Sequence, residues 1–217
     1  MRNAHCRLLD AVVRGSVMEV QHWMMLTDPK EDDSEALAAA ARQGNLPLVD
    51  LLLPVSNPKA NWSWALRMAS GAGHLAVVER LLPVSDPKDL DSRALRDAAN
   101  EGHLEVVRFL LPVSDPRAMQ SAALRNAMWG NHKAVIDLLW PVSDQEAARQ
   151  ALFKNEQWDL LDQACLRSEP AVQVQWLNRT PAHALPQTEH QRQSRARHQK
   201  LASSAAALSS GRLRPRG

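Results

Sequence analysis

The 217-residue chain has no tyrosine, two phenylalanines and two cysteines. Without aromatic side chains, a β-sandwich core has little to build with. The 45% hydrophobic content, chiefly Ala, Leu and Val, suits small, closely packed helices instead. Cys6 and Cys165 lie far apart and neither belongs to a CxxC pair, which argues against a disulfide framework or a zinc site and fits a reducing intracellular setting. No stretch approaches the roughly 18 consecutive apolar residues of a membrane span. The opening MRNAHCRLLD also lacks the apolar core of a secretory signal. The expectation is a soluble, cytoplasmic, monomeric protein; nuclear entry or delivery into another cell stays open.

What the chain does contain is a period. Pro-Val-Ser followed by Asp or Asn begins at Pro54, Pro83 and Pro112, and Pro-Val-Ser-Asp again at Pro141, each 29 residues after the last. Thr27-Asp28-Pro29-Lys30 falls in register with Ser56-Asn57-Pro58-Lys59, so an eroded copy opens the chain. A fixed period of this size marks a solenoid, in which each unit buries its apolar face on its neighbours. Repeats are read at about 5–33, 34–62, 63–91, 92–120 and 121–149, with a degenerate sixth at 150–178. From Arg179 onward eight basic residues face one acid, about +7, whereas residues 1–178 carry about −5. Residues 179–217 read as a disordered basic tail, with a transient helix near Glu189 to Leu208.

Within a repeat, Leu37, Leu66, Leu95 and Leu124, followed by small pairs such as Ala40-Ala41 and Ala98-Ala99, place one apolar stripe on a first helix. Ser34, Ser63, Ser92 and Ser121 stand three residues before those leucines, the expected place of an N-cap. Gly44, Gly73 and Gly102 end that helix where a left-handed residue is wanted, and Asn131 takes the position in the next copy. A second helix follows, as in Leu75 to Leu82 with Leu75, Val78, Leu81 and Leu82 on one face, and Pro83 stops it. In the sixth unit, helices are expected at Glu146 to Lys154 and Trp158 to Leu166, with Asn155 or Glu156 making the turn.

Ala98 to Leu111, Ala-Ala-x-x-Gly-His-Leu-x-Val-Val-x-x-Leu-Leu, resembles the body of an ankyrin repeat. The match recurs at Gly73-His74 and, more loosely, at Gly44-Asn45 and Gly15-Ser16, and covers about residues 3–143. The Thr-Pro-Leu-His that opens a typical unit is replaced by forms such as Arg93-Ala94-Leu95-Arg96, and the period is about four residues short of the usual 33. The resemblance implies an all-α helix-turn-helix solenoid in which the β-hairpin finger is reduced to a stub. It also implies protein binding through the concave face lined by the first helices.

No constellation for catalysis emerges. His74, His103 and His132 recur at one position, but helices 8–10 Å apart cannot bring them to the roughly 2 Å of a shared zinc ion, so a turn histidine bonded to backbone is expected. Gly71-Ala72-Gly73 lacks the third glycine and the Lys-Ser/Thr of a phosphate loop. Acid pairs such as Asp32-Asp33 fall in loops, and Cys165 lies on an apolar helix face. Neither an enzyme nor a cofactor or metal is expected.

With Leu37 facing the core, positions 35, 38, 39 and 42 and their equivalents face away. These positions vary between copies. With the preceding loop they nominate Trp62, Trp64, Arg67, Met68, Arg93, Arg96, Arg125 and Trp129 as contacts for a protein partner. Arg67, Arg96 and Arg125 also stand where the family has a structural His, and bonding to neighbouring carbonyls is the competing expectation for them. In the tail, Arg192, Arg195, Arg197, Lys200, Arg212, Arg214 and Arg216 are candidates for nucleic acid or an anionic membrane by counterion release. No aromatic is interleaved among them for base stacking. The leading expectation is a non-catalytic scaffold, adaptor or inhibitor; the alternative is an anionic-surface binder acting through the tail, with the array as spacer.

Overall fold

Short apolar stripes, each closed by a left-handed residue and a proline, produce paired helices in series. The computed structural model describes residues 4–168 and Val172, and the chain divides into two compact units after Ser143. Among the described residues there are twelve α-helices and no strand. The tail expected from Arg179, with its candidate residues, lies outside the described residues.

The first unit holds five helix pairs: α1 (Ala4–Val13) with α2 (Val17–Met24), α3 (Glu31–Gln43) with α4 (Leu46–Leu52), α5 (Ala60–Gly71) with α6 (Leu75–Leu81), α7 (Asp89–Glu101) with α8 (Leu104–Leu110), and α9 (Ala118–Trp129) with α10 (Lys133–Leu139). First helices pack on first helices and second on second, pair after pair. Leu8, Leu37, Leu66, Leu95 and Leu124 are fully buried between them, each contributing up to about 3 kcal/mol. The alanine pairs Ala40-Ala41 and Ala98-Ala99 are equally buried, and their small side chains set the close approach of neighbouring first helices. In α6 the buried face is Val77, Val78 and Leu81, while Leu75 and Leu82 sit at its edge. Leu82 already belongs to the 3₁₀ turn Leu82–Val84 that carries Pro83, and the same turn follows α4 and α8.

Each first helix ends as its sequence requires. Gly44, Gly73 and Gly102 adopt φ of 72°, 79° and 79°, and Asn131 takes 55° in the fifth pair. The space above these glycines is occupied by the next repeat. A Cβ on Gly73 would lie 2.5 Å from Nδ1 of His103, and one on Gly102 would lie 2.4 Å from Nδ1 of His132. The same histidines donate from Nε2 to main-chain carbonyls of the preceding first helix or the turn that closes it: His74 to Arg42 (3.0 Å), His103 to Gly71 (3.1 Å) and His132 to Asn100 (2.8 Å). A carbonyl only accepts, so Nε2 carries the proton. The expected turn histidine is therefore a bond between repeats. In the second pair, Asn45 occupies the position and caps Leu48 N–H at 3.2 Å.

The serines depart from expectation. Ser34, Ser63, Ser92 and Ser121 are not N-caps: they have φ of 62°, 53°, 58° and 57°, and the residue before each of their helices is Lys30, Lys59, Lys88 or Arg117. Ser34, Ser63 and Ser92 instead reach forward to the loop before the next first helix. Their buried hydroxyls accept the N–H of Asn57 (2.9 Å), Asp86 (2.9 Å) and Asp115 (2.8 Å). Ser63 also donates to Asp89 at 2.6 Å.

In α5, α7 and α9 two residues before the serine are left-handed as well: Asn61 and Trp62, Leu90 and Asp91, Met119 and Gln120. This single left-handed turn stands in the place of the finger and is the stub that a 29-residue period predicts. Such residues cost roughly 1–2 kcal/mol each, so neighbouring bonds must hold them.

The second unit contains α11 (Gln145–Lys154), capped by Asp144 on Ala147 N–H at 2.9 Å, and α12 (Trp158–Leu166), as the sequence predicts. Glu156, at φ 57°, makes the turn between them. Arg149 is buried and donates to Ser168 Oγ at 2.8 Å. Burial pushes the Cys165 thiol up to about 12.

Two outcomes are expected. Gly73→Ala should lower stability by about 2–3 kcal/mol, combining left-handed strain with the displaced His103 bond. In a His103→Ala background the same change should cost only about 1 kcal/mol, a coupling readable by urea denaturation of the four-member cycle. With a thiol reagent at pH 8, the exposed Cys6 should label in the folded protein and Cys165 only after unfolding, because burial both shields the Cys165 thiol and raises its pKa to about 12.

Candidate protein-binding surface

The row of first helices, α1, α3, α5, α7 and α9, presents the face on which the sequence places most of the candidate contacts. Trp64 and Met68, one turn apart on α5, wall a groove of about 360 Å³ together with Val13 of α1 and Glu35, Ala38, Ala39, Arg42 and Gln43 of α3. Glu35 stands in the position of Trp64 one repeat earlier, and Ala39 in that of Met68. The candidate list began only with the next copy, so the α3 wall was missed although the repeat register points to it. Val13 had no such signal, because its contact depends on how the first pair meets the second.

The other two candidate tryptophans are not in this groove. Trp62 projects from the left-handed turn at the start of α5 and is 59% exposed. Trp129, the last residue of α9, is 72% exposed. Met119, 52% exposed, and Leu90, 40% exposed, occupy the turns of the next two repeats and were not singled out in the sequence.

Arg67, Arg96 and Arg125 form the ladder that the spacing implies, each half-buried and each turned back onto its own left-handed turn. Arg67 Nη1 donates to the Asn61 carbonyl (3.3 Å) and Arg96 Nη2 to that of Leu90 (2.7 Å). Arg125 donates from Nη2 to Met119 (3.0 Å) and from Nε to Gln120 (3.2 Å). These bonds satisfy carbonyls that a left-handed turn leaves without helical partners and hold the strained segment in place. Burial lowers the pKa of Arg96 and of Arg125 below the usual arginine range, and for Arg96 the neighbouring Arg93 adds to the effect. Arg93 itself is exposed and pairs with Asp97 one turn on at 2.7 Å.

Among the described residues no group of His, Cys, Asp and Glu could hold a metal ion, and no helix is long and apolar enough to cross a membrane.

Compared with known proteins, residues 37–120 match the family model for ankyrin repeats, in three copies. A comparison with curated proteins returned no match. The matched stretch runs from the buried Leu37 of α3 to the left-handed turn of α9, and so includes the groove's α5 wall, its α3 wall except Glu35, and all but two of the candidate contacts, Arg125 and Trp129.

If Arg96 secures the turn, Arg96→Gln should lower stability by about 1 kcal/mol, whereas Arg93→Gln, which breaks only an exposed pair, should cost under about 0.5 kcal/mol. Thermal unfolding followed by circular dichroism would rank the two.

Proposed function

Because the chain is an ankyrin-repeat protein, and such repeats generally serve as protein–protein interaction modules, we propose that it is a non-catalytic binding protein, a scaffold, adaptor or inhibitor. Its partner lies along the first-helix face of residues 4–143. The observation that carries this reading is the groove between α3 and α5, walled by Trp64 and Met68 and edged by the charged Glu35 and Arg42. A half-buried tryptophan beside a flexible methionine offers apolar area at low entropic cost, the kind of anchor that dominates protein interfaces. Trp62 and Trp129 extend the contact beyond the groove, from the left-handed turn at the start of α5 and from the end of α9. The ladder arginines serve mainly to shape this face, since each is already bonded to its own turn.

The test is capture from cell lysate on the immobilised full chain, with a high-salt wash. A discrete protein should survive the wash, and Trp64→Ala with Trp129→Ala should weaken its binding by roughly 30-fold or more, as expected for interface hot spots. Retention unchanged in the double variant would place the contact elsewhere, and retention that disappears with salt would favour an electrostatic role for the tail.

A further inference from the structure

The first-helix face differs in charge from the unit that carries it. Residues 1–143 contain fifteen basic and seventeen acidic residues, a mild net negative charge. Yet the four copies of positions 35, 38, 39 and 42, on this face except for the buried Ala38 and Ala122, hold five of those arginines and two of the acids, Glu35 and Asp97. Arg42 and Arg93 are exposed on this face, and Arg67, Arg96 and Arg125 lie half-buried between neighbouring first helices. The ladder is pre-organised, because one terminal nitrogen of Arg67 and one of Arg96 is fixed to a turn carbonyl. A guanidinium has five N–H donors in a planar fork; the Nε of Arg67 and of Arg96 is buried, and the terminal N–H groups that the turn bond leaves can meet a carboxylate without first ordering the side chain.

The spacing adds a second constraint. Equivalent residues on successive first helices are separated by the packing distance of small-residue helices, about 8–10 Å. A polyproline II segment has three residues per turn and rises about 3.1 Å per residue, so every third side chain recurs on one face at about 9 Å. An α-helix would need seven residues for a similar repeat, about 10.5 Å, and would be too thick to lower single side chains between the ladder arginines and into the Trp64–Met68 groove together.

We propose that this face takes an extended, acidic protein segment whose carboxylates recur at every third residue along Arg67, Arg96 and Arg125, with an apolar side chain at one end seated in the groove of Trp64, Met68 and Val13. The proposal rests on the protein-binding reading above and names the chemistry of its partner. Single-stranded nucleic acid fits less well. Glu35 and Asp97 interrupt the cations and would repel an unbroken run of phosphates, and Trp64 is half-buried as one wall of a groove instead of offering an open platform for a base.

The probe is a fluorescein-labelled peptide with Glu at every third position of a Ser-Pro spacer and Leu at both ends, titrated by anisotropy into the full chain. Saturable binding is expected. It should weaken at least roughly tenfold when the Glu residues are replaced by Gln, and again when they are moved to every fourth position at the same net charge, as rows of complementary charge require. Arg93→Glu inverts an exposed cation without touching a turn bond, and should weaken binding at least roughly fivefold while leaving the circular dichroism spectrum unchanged and lowering the melting temperature by no more than about 4 °C, through the lost Asp97 pair. It guards against a ladder variant such as Arg96→Gln failing through instability. Absence of saturable binding, equal binding of the Gln or every-fourth peptides, or tighter competing binding of a uridine oligonucleotide of equal length would each overturn the proposal. A captured lysate protein that is lost with the Trp64/Trp129 double variant but kept by Arg93→Glu would overturn it while leaving the protein-binding reading intact.

Discussion

One left-handed residue closes each of α3, α5 and α7, and in all three the histidine of the following repeat lies directly over it. Most of the first unit depends on that contact. The glycine needs its positive φ to turn the chain into the second helix, and it needs the absence of a Cβ because His74, His103 or His132 occupies that space. The histidine then donates back to a carbonyl at the end of the preceding first helix. Turn geometry and repeat spacing are thus set together. Coupling of this kind reaches only the nearest neighbour, as in other arrays whose stability is a sum of units and interfaces.

The buried serines form a second seam at the opposite end of the first helices. Ser34, Ser63 and Ser92 take the N–H of the loop before the next first helix, so each repeat is tied to its successor at both ends of that helix. Between seam and helix lies the left-handed turn, the strained part of the repeat. A connection four residues shorter than the family norm leaves no length for a hairpin, and the chain reverses through non-glycine residues whose carbonyls then need donors. The ladder arginines supply them. The recognition role proposed for these side chains has a geometric basis: a guanidinium long enough to reach back to the turn also keeps part of its fork toward the surface.

The surface inherits this arrangement. Repeat-to-repeat variation is widest at positions that neither the seams nor the core use: Glu35, Trp64 and Arg93 share one such position, while Leu37, Leu66, Leu95 and Leu124 do not change. A groove opens where a large side chain, Trp64, stands beside small ones, Ala38 and Ala39, on the neighbouring helix. Cations gather on this face because the turn carbonyls beside it demand donors, whatever the net charge of the unit.

The repeat, the helix pairs, the buried leucine stripe and the left-handed closures are all legible along the chain. All of these follow from local spacing, from the conformational freedom of glycine and asparagine, and from the helix-stopping effect of proline, and α12 even begins and ends at the residues that the pattern marks. The sequence also placed Trp64 and Met68 on the outward face, because a 100° turn per residue fixes direction once one core residue is known. Only the tertiary structure decided what those residues meet. The serines look like N-caps in sequence, and a donor 23 positions away in the next loop claims them instead. The three-residue left-handed turn carries little local signal, since Trp62, Leu90, Met119 and Gln120 have no preference for it; its stability comes from an arginine six positions after its first residue and a serine seam between repeats. Val13 joins the groove only because α1 packs on α3. Contacts made through space, between residues that local spacing does not relate, are where reading along the chain had to stop.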